Sequence, residues 1–341
     1  MTKSFNHTYK KMQKILLIAG ILGVSAFAKA QQTTDSLQQK VNQGIKEKFP
    51  RARVLNFEYG QSLSRDFDSE LFEQEFQEGE IKAQRTLSAS ANIPIYKTQK
   101  WGLTGSLNYQ FNEFEFDNIQ TTDISVFEQN GIVDFHNFSA AVSSTYFSSL
   151  FKKPVIYNAS IIVDGNDKSL ERVKGLVGLS FILKRTERTT ITLGAIAFID
   201  PTSQLPFFPT FSYNHRFKNS KWELDFILPQ RLLLRRPVGK NGRFSIGSSF
   251  GSTGFYVNVD NPNFAETFEY SQLEIKSGII YEHRFSDYLI GTFQGGLQNF
   301  ISNRLTEKGE PTTDFIYENN QDPTGYFQVG ISIDPFAGKK R

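Results

Sequence analysis

From residue 84 onward the chain alternates apolar and polar side chains, residue by residue, in one segment after another. Leu87, Ala89, Ala91, Ile93 and Ile95 share one face, with Thr86, Ser88, Ser90 and Asn92 on the other. Trp101, Leu103, Leu107, Tyr109 and Phe111 oppose Thr104, Ser106, Asn108 and Gln110. The same period returns around Val155–Val163, Ile191–Ile199, Trp222–Leu228 and Phe327–Ile333. A period of two specifies β-strands with one greasy and one polar face. Each segment runs for about ten residues, the length of a tilted strand crossing a bilayer and roughly twice a typical soluble strand. With 39% apolar residues and a mean hydropathy of −0.37, the chain is too polar for a bundle of membrane helices. A barrel escapes that limit because half of every strand faces its interior.

Short connections fall near 96–100, 148–154, 185–188, 218–221, 239–242 and 286–287. Longer ones fall near 65–82, 113–134, 165–172, 200–206, 260–269 and 301–323. This alternation of short periplasmic turns and longer extracellular loops predicts an antiparallel transmembrane β-barrel of about fourteen strands, with twelve as the alternative. The first strand is expected at 52–63 and the last at 325–335. Tyr96, Trp101, Tyr146, Phe217, Trp222, Phe285 and Tyr288 stand beside the short turns, where an aromatic girdle belongs.

Residues 1–30 read as a secretory signal peptide. Lys3, Lys10, Lys11 and Lys14 precede the apolar run 15–28, and Ala28-Lys29-Ala30 supplies small residues before a cleavage between Ala30 and Gln31. The run spans about 21 Å as a helix, short of a bilayer core of about 30 Å. Without the five lysines of this segment, 33 basic side chains face 35 acidic ones, so the basic balance of the whole chain gives no reason to expect nucleic acid. Residues 31–50 are polar, with Leu37, Val41, Ile45 and Phe49 at helical spacing, and read as a periplasmic segment or a plug. The barrel is expected over 51–336, followed by a basic tail, 337–341. The chain is thus expected in the outer membrane, in contact with its lipid and with the barrel insertion machinery.

Little in the sequence points to catalysis. Cysteine is absent, and no hydrolase, metalloprotease or nucleotide-binding motif is present. His215 and His283 share faces with aromatic and aliphatic residues, and His136 is in phase with Phe138, Ala140 and Val142, so none is expected to face inward. No enzyme activity and no cofactor are expected. The polar phase carries Arg216, Glu223, Asp225, Arg231, Arg235, Arg243, Glu274, Lys276, Glu282 and Arg284. These side chains either form an eyelet that selects solutes by charge or pair with one another to stabilise the wall. Arg231 and Arg235 are expected opposite Glu223 and Asp225. Asp66, Asp68 and Glu70 open a run of seven carboxylates ending at Glu80, which reads as a Ca²⁺ site or as a solvated acidic loop.

Trp222-Glu-Leu-Asp-Phe-Ile-Leu-Pro-Gln-Arg231-Leu-Leu-Leu, followed by Arg243-Phe-Ser-Ile-Gly-Ser-Ser-Phe-Gly and Gly325-Tyr-Phe-Gln-Val-Gly-Ile-Ser-Ile, resembles an uncharacterised family of Bacteroidota outer-membrane β-barrels. The resemblance covers about residues 50–336 and implies an outer-membrane location without an assigned activity. Barrels often end on an aromatic residue, whereas Phe336 here is followed by Ala337-Gly338-Lys339-Lys340-Arg341. Three roles fit: a passive channel or uptake barrel for small solutes, a closed barrel acting through its loops, and a lipid-modifying enzyme. The lack of an inward His disfavours the third.

Overall fold

The computed structural model describes residues 49, 53–121, 131–200, 206–260, 262 and 264–337. The expected signal peptide, its cleavage point and most of segment 31–50 lie outside them. Among the described residues sixteen strands follow one another: β1 Leu55–Ser62, β2 Arg65–Leu71, β3 Gln74–Lys97, β4 Trp101–Thr121, β5 Gly131–Leu150, β6 Lys153–Gly165, β7 Leu170–Arg185 and β8 Thr189–Ile199. Then come β9 Phe207–Arg216, β10 Glu223–Leu228, β11 Arg231–Val238, β12 Gly242–Asn258, β13 Thr267–Arg284, β14 Leu289–Glu307, β15 Phe315–Gln321 and β16 Thr324–Ile333.

Every pairing is antiparallel between neighbours in sequence until the ends meet. There β1 pairs with both β3 and β16, which closes a ring of fourteen staves. The number matches the expectation, and closure leaves the ring without an edge. The two surplus strands are upward continuations. β2 extends β1 along β3, β15 extends β16 along β14, and β2 pairs with β15 in the register that β1 holds with β16.

The outer surface is greasy in a band. Leu107 is 58% exposed, Ile161 64%, Leu297 60% and Ile331 53%, each in the outward phase of its strand. An apolar belt around a closed sheet is the surface of a transmembrane barrel, since a soluble surface rarely leaves so large a patch uncovered. Trp101, Tyr96, Phe217, Phe285 and Tyr288 stand exposed beside the short turns, and the Trp101 and Tyr146 rings lie 4.5 Å apart.

Two of the expected long loops are strands instead. Residues 65–82 form β2 and the first part of β3, joined through a tight turn at Phe72 and Glu73, both at positive φ. Residues 301–323 hold the end of β14 and all of β15. The 113–134 connection is shorter than expected, since β4 runs to Thr121 and β5 starts at Gly131. These stretches alternate in the opposite phase to the belt. On β4 the outward side passes from Leu107, Tyr109 and Phe111 to Glu113, Glu115 and Asp117, while the inward side passes from Asn108, Gln110 and Asn112 to Phe114 and Phe116. The belt has ended there. The outside is wet and the inside has turned greasy.

Four neighbouring staves change phase together at that level. Leu63 and Ser64 are both exposed between buried Ser62 and Arg65, and Asp322 and Pro323 are both exposed between buried Gln321 and Thr324. β3 carries a bulge between Ile81 and Ala83, and the pairing of β13 with β14 skips Ile301. Such irregularities bend a sheet and re-aim its side chains. Just below, Gly247, Gly278 and Gly296 stand opposite one another on β12, β13 and β14. A Cβ at Gly278 would meet the Gly295 carbonyl oxygen at 2.1 Å, and one at Gly296 the Ser277 oxygen at 2.0 Å. The missing side chains let the three strands bend closely, as glycine kinks do.

Candidate functional site

The bend builds a second storey. β11 stops pairing with β12 at Ser249, so β12 from Gly251 upward has no β11 partner, and β5 above Phe138 has no β6 partner. The upper parts of β12, β13, β14, β15, β2, β3, β4 and β5 are hydrogen-bonded in that order. The two free edges meet where the Phe135 and Phe255 rings stack at 4.3 Å, with Phe114 5.9 Å from Phe255. Eight strand segments thus surround a narrow interior standing on the wider ring. About eight strands enclose just enough room for side chains or one small ligand.

Phe67, Ile81, Phe114, Phe255, Val257, Phe268, Tyr270 and Leu305 form its buried apolar cluster, with Phe116, Phe135 and Ile316 packed against them. They leave a cavity of about 360 Å³. Ile132 and Val133, both exposed, stand at its rim.

A polar layer closes the chamber below. Arg65 donates from Nε to Gln321 Oε1 and from Nη2 to Gln84 Oε1, both at 2.6 Å. Its Nη1 is buried without a partner. Burial lowers the Arg65 pKa to about 10, so the guanidinium stays protonated at neutral pH. Gln272 and Gln298 donate to Glu274 Oε2 at 2.7 and 2.5 Å, and Lys276 pairs with its Oε1 at 2.8 Å. Gln272, Gln298 and Asn112 have 1% exposure or less. Beneath lies a smaller polar cavity of about 170 Å³, lined by Glu58, Ser88, Gln110, Lys276 and Gln328 among others.

The charged residues singled out in the sequence are paired along β9 to β13, most of them inside the ring, with Arg216 and Arg284 toward its rim. Arg231 Nε and Arg235 Nη2 both bind Asp225 Oδ2, at 2.8 and 2.7 Å, and Asp225 is fully buried. Arg235 stands directly opposite Glu223 in the register, as expected, but its guanidinium turns to Asp225, and Glu223 pairs instead with Arg216 at 3.0 Å and takes a bond from Asn214. The register sets Leu233, not an arginine, opposite Asp225, and both guanidinium groups reach it diagonally. Arg243 forks onto Glu282, which also takes Arg53, and stacks 4.7 Å over the buried Phe49 ring. Arg284 turns to Asp287 at the rim. Each of the ten thus has an opposite charge beside it.

The three described histidines lie on the outward faces, His136 by Tyr109, His215 by Thr189 and His283 by Tyr281. Asp66, Asp68 and Glu70 point outward from β2 and stand opposite Glu80, Glu78 and Glu75. Like charges directly across a ladder repel. Among the described residues no three acidic or histidine side chains converge as a metal site.

The sequence missed the chamber because Phe67, Ile81, Phe114, Phe268 and Leu305 fell in stretches expected to be loops. The signal was present in Phe111-Asn112-Glu113-Phe114-Glu115-Phe116-Asp117. Alternation continues there with its phase inverted, which a loop would not do.

No family model and no curated protein matches the chain. Among solved structures it is similar to an outer-membrane channel from Pseudomonas putida F1, with 9% identity, TM-score 0.36, and 84% of this chain and 97% of that one covered. A Pseudomonas aeruginosa FadL homologue is 8% identical at TM-score 0.41, covering 84% and 91%. The Pseudomonas putida toluene transporter TodX is 8% identical at TM-score 0.31, covering 84% and 90%.

Proposed function

We propose that the chain is an outer-membrane uptake barrel for small apolar solutes, which bind in the eight-stranded storey on the extracellular side. The observation that carries this reading is the chamber itself. Its volume of about 360 Å³ falls within the range of small-molecule pockets, and aromatic and aliphatic side chains line it where a water-filled pore would be polar. The signal-like N-terminus supports export, and the long-loop end, which carries the chamber, is the extracellular one by the barrel rule.

The paired interior disfavours a wide aqueous pore selecting ions by charge. Arg231, Arg235, Arg243 and Lys276 all spend their charge on buried acids. The test is equilibrium binding of an environment-sensitive apolar fluorophore to the purified barrel. Phe116→Arg, aimed into the chamber, is expected to abolish binding, and Glu115→Gln, on the outer face of the same strand, to leave it intact. Equal binding by both variants would remove the chamber as the site.

A further inference from the structure

The chamber has one wall that backbone hydrogen bonds do not hold, and it is the seam between β5 and β12. The other walls and the floor are expensive to open. The other seven junctions are hydrogen-bonded ladders. Below, a descending solute would separate Arg65 from Gln84 and Gln321, and Gln272 and Gln298 from Glu274, stranding buried polar groups in an apolar path. The seam is made of the stacked Phe135 and Phe255 rings with no backbone ladder between β5 and β12, so parting the rings exposes apolar surface to an apolar solute.

Behind the seam lies an ion cluster that joins the β12–β13 hairpin to the wall formed by β6, β7 and the end of β8. Arg172 bridges Asp200 at 3.1 Å and Glu269 at 2.7 Å. Lys174 bridges Asp164 at 2.9 Å and Glu269 at 3.1 Å. Tyr256 donates to Asp164 at 2.8 Å. The wall alone holds two cations and two acids, Arg172 and Lys174 with Asp164 and Asp200, and is balanced without the hairpin. Glu269 is the one charge that the hairpin contributes to these contacts. It can withdraw without leaving a net charge buried on the wall, which is what a releasable contact requires and what a structural ion pair does not offer.

We infer that apolar solute leaves the chamber sideways, through the β5–β12 seam into the ring interior flanked by β6, β7 and β8, and that Glu269 latches the seam shut. This rests on the uptake reading. The chain has no cysteine, so Phe135→Cys with Phe255→Cys introduces its only two thiols. The double variant is reconstituted in liposomes and bridged with a short, reducible bis-methanethiosulfonate. Fluorophore binding and transfer into the liposome lumen are both followed, before bridging, after it and after reduction. Because Phe135 and Phe255 line the chamber, the unbridged double variant is its own reference for binding: bridging is expected to slow transfer roughly tenfold or more with binding held at the unbridged variant's level, and reduction is expected to restore transfer, as for a locked gate. Glu269→Gln, measured separately, is expected to speed transfer several-fold with binding unchanged. Unaltered transfer in the bridged protein overturns the seam, as does unaltered transfer in Glu269→Gln where the bridge does not form. Absence of binding by the unmodified protein sinks the uptake reading instead.

Discussion

Asp225 offers the sharpest test of what holds the ring together. Its carboxylate is buried and takes Arg231 Nε at 2.8 Å and Arg235 Nη2 at 2.7 Å on one oxygen. In Asp225→Asn the side chain keeps its size and loses its charge. Two charge-assisted bonds, each worth about 1.5–3 kcal/mol, become at best neutral ones. The Arg235 side chain is only 11% exposed and recovers little solvation, whereas Arg231, at 22%, recovers more. Two guanidinium groups then lose the negative charge that they share. Breaking a buried pair costs about 3–5 kcal/mol, and the wet interior reduces this, so the expected loss is about 2–4 kcal/mol. The assay is guanidinium unfolding of the barrel refolded into liposomes, read by the fluorescence of its two tryptophans. Trp222 lies next to the start of β10 and reports the local wall directly. Asp225→Leu with Arg231→Met and Arg235→Met, which removes all three charges, should recover most of the loss. If Asp225→Asn costs less than about 0.5 kcal/mol, as an exposed pair would, Asp225 is solvated and the interior is an open channel.

Leu193→Arg puts a charge on the lipid face and should cost about 2–4 kcal/mol in the same assay if it lies near the midplane, whereas Thr192→Arg, beside Ser212 on the inner face, should be tolerated. Equal damage from both would deny the strand a bilayer. Gly278→Ala forces a Cβ against the Gly295 oxygen and should destabilise the barrel by about 1–3 kcal/mol and weaken fluorophore binding together. Arg231→Glu with Arg235→Glu should reduce folding yield rather than switch ion preference in planar bilayers, because it sets three acids against one another at Asp225. N-terminal sequencing of the exported protein should begin at Gln31, and retention of residues 1–30 would refute the cleavage assignment.

The ring was legible because lipid imposes one rule on every stave. Leu107 and Ile161 must face out whatever their neighbours do, so period and length alone counted the strands. The pairs around Asp225 and Glu282 were legible as a set, since the polar phase places them inside, but not as partners. Partner choice depends on the diagonal reach of Arg231 and on Arg53, which was not among the candidates. The upper storey was hidden by a change of solvent. Above the belt Glu113 and Asp117 face water and Phe114 faces inward, so the rule that read the ring reads these residues backwards. The seam was invisible for another reason. Phe135 and Phe255 are 120 positions apart in sequence, and no local pattern announces an aromatic stack between strands that share no hydrogen bond.

The closure of the first and last staves has a consequence for the order of folding. The storey needs β2 from the start of the barrel and β15 from its end, and these strands are neighbours only after some 250 intervening residues have been ordered. Joining ends so far apart is the slow step of a topology rich in non-local pairings. The chamber is therefore completed last, and it serves as a chemical certificate of assembly. A barrel with its final hairpin still open exposes Phe67, Phe268 and Leu305 to water and has no enclosed pocket, so a chamber-bound fluorophore should report ring closure in real time.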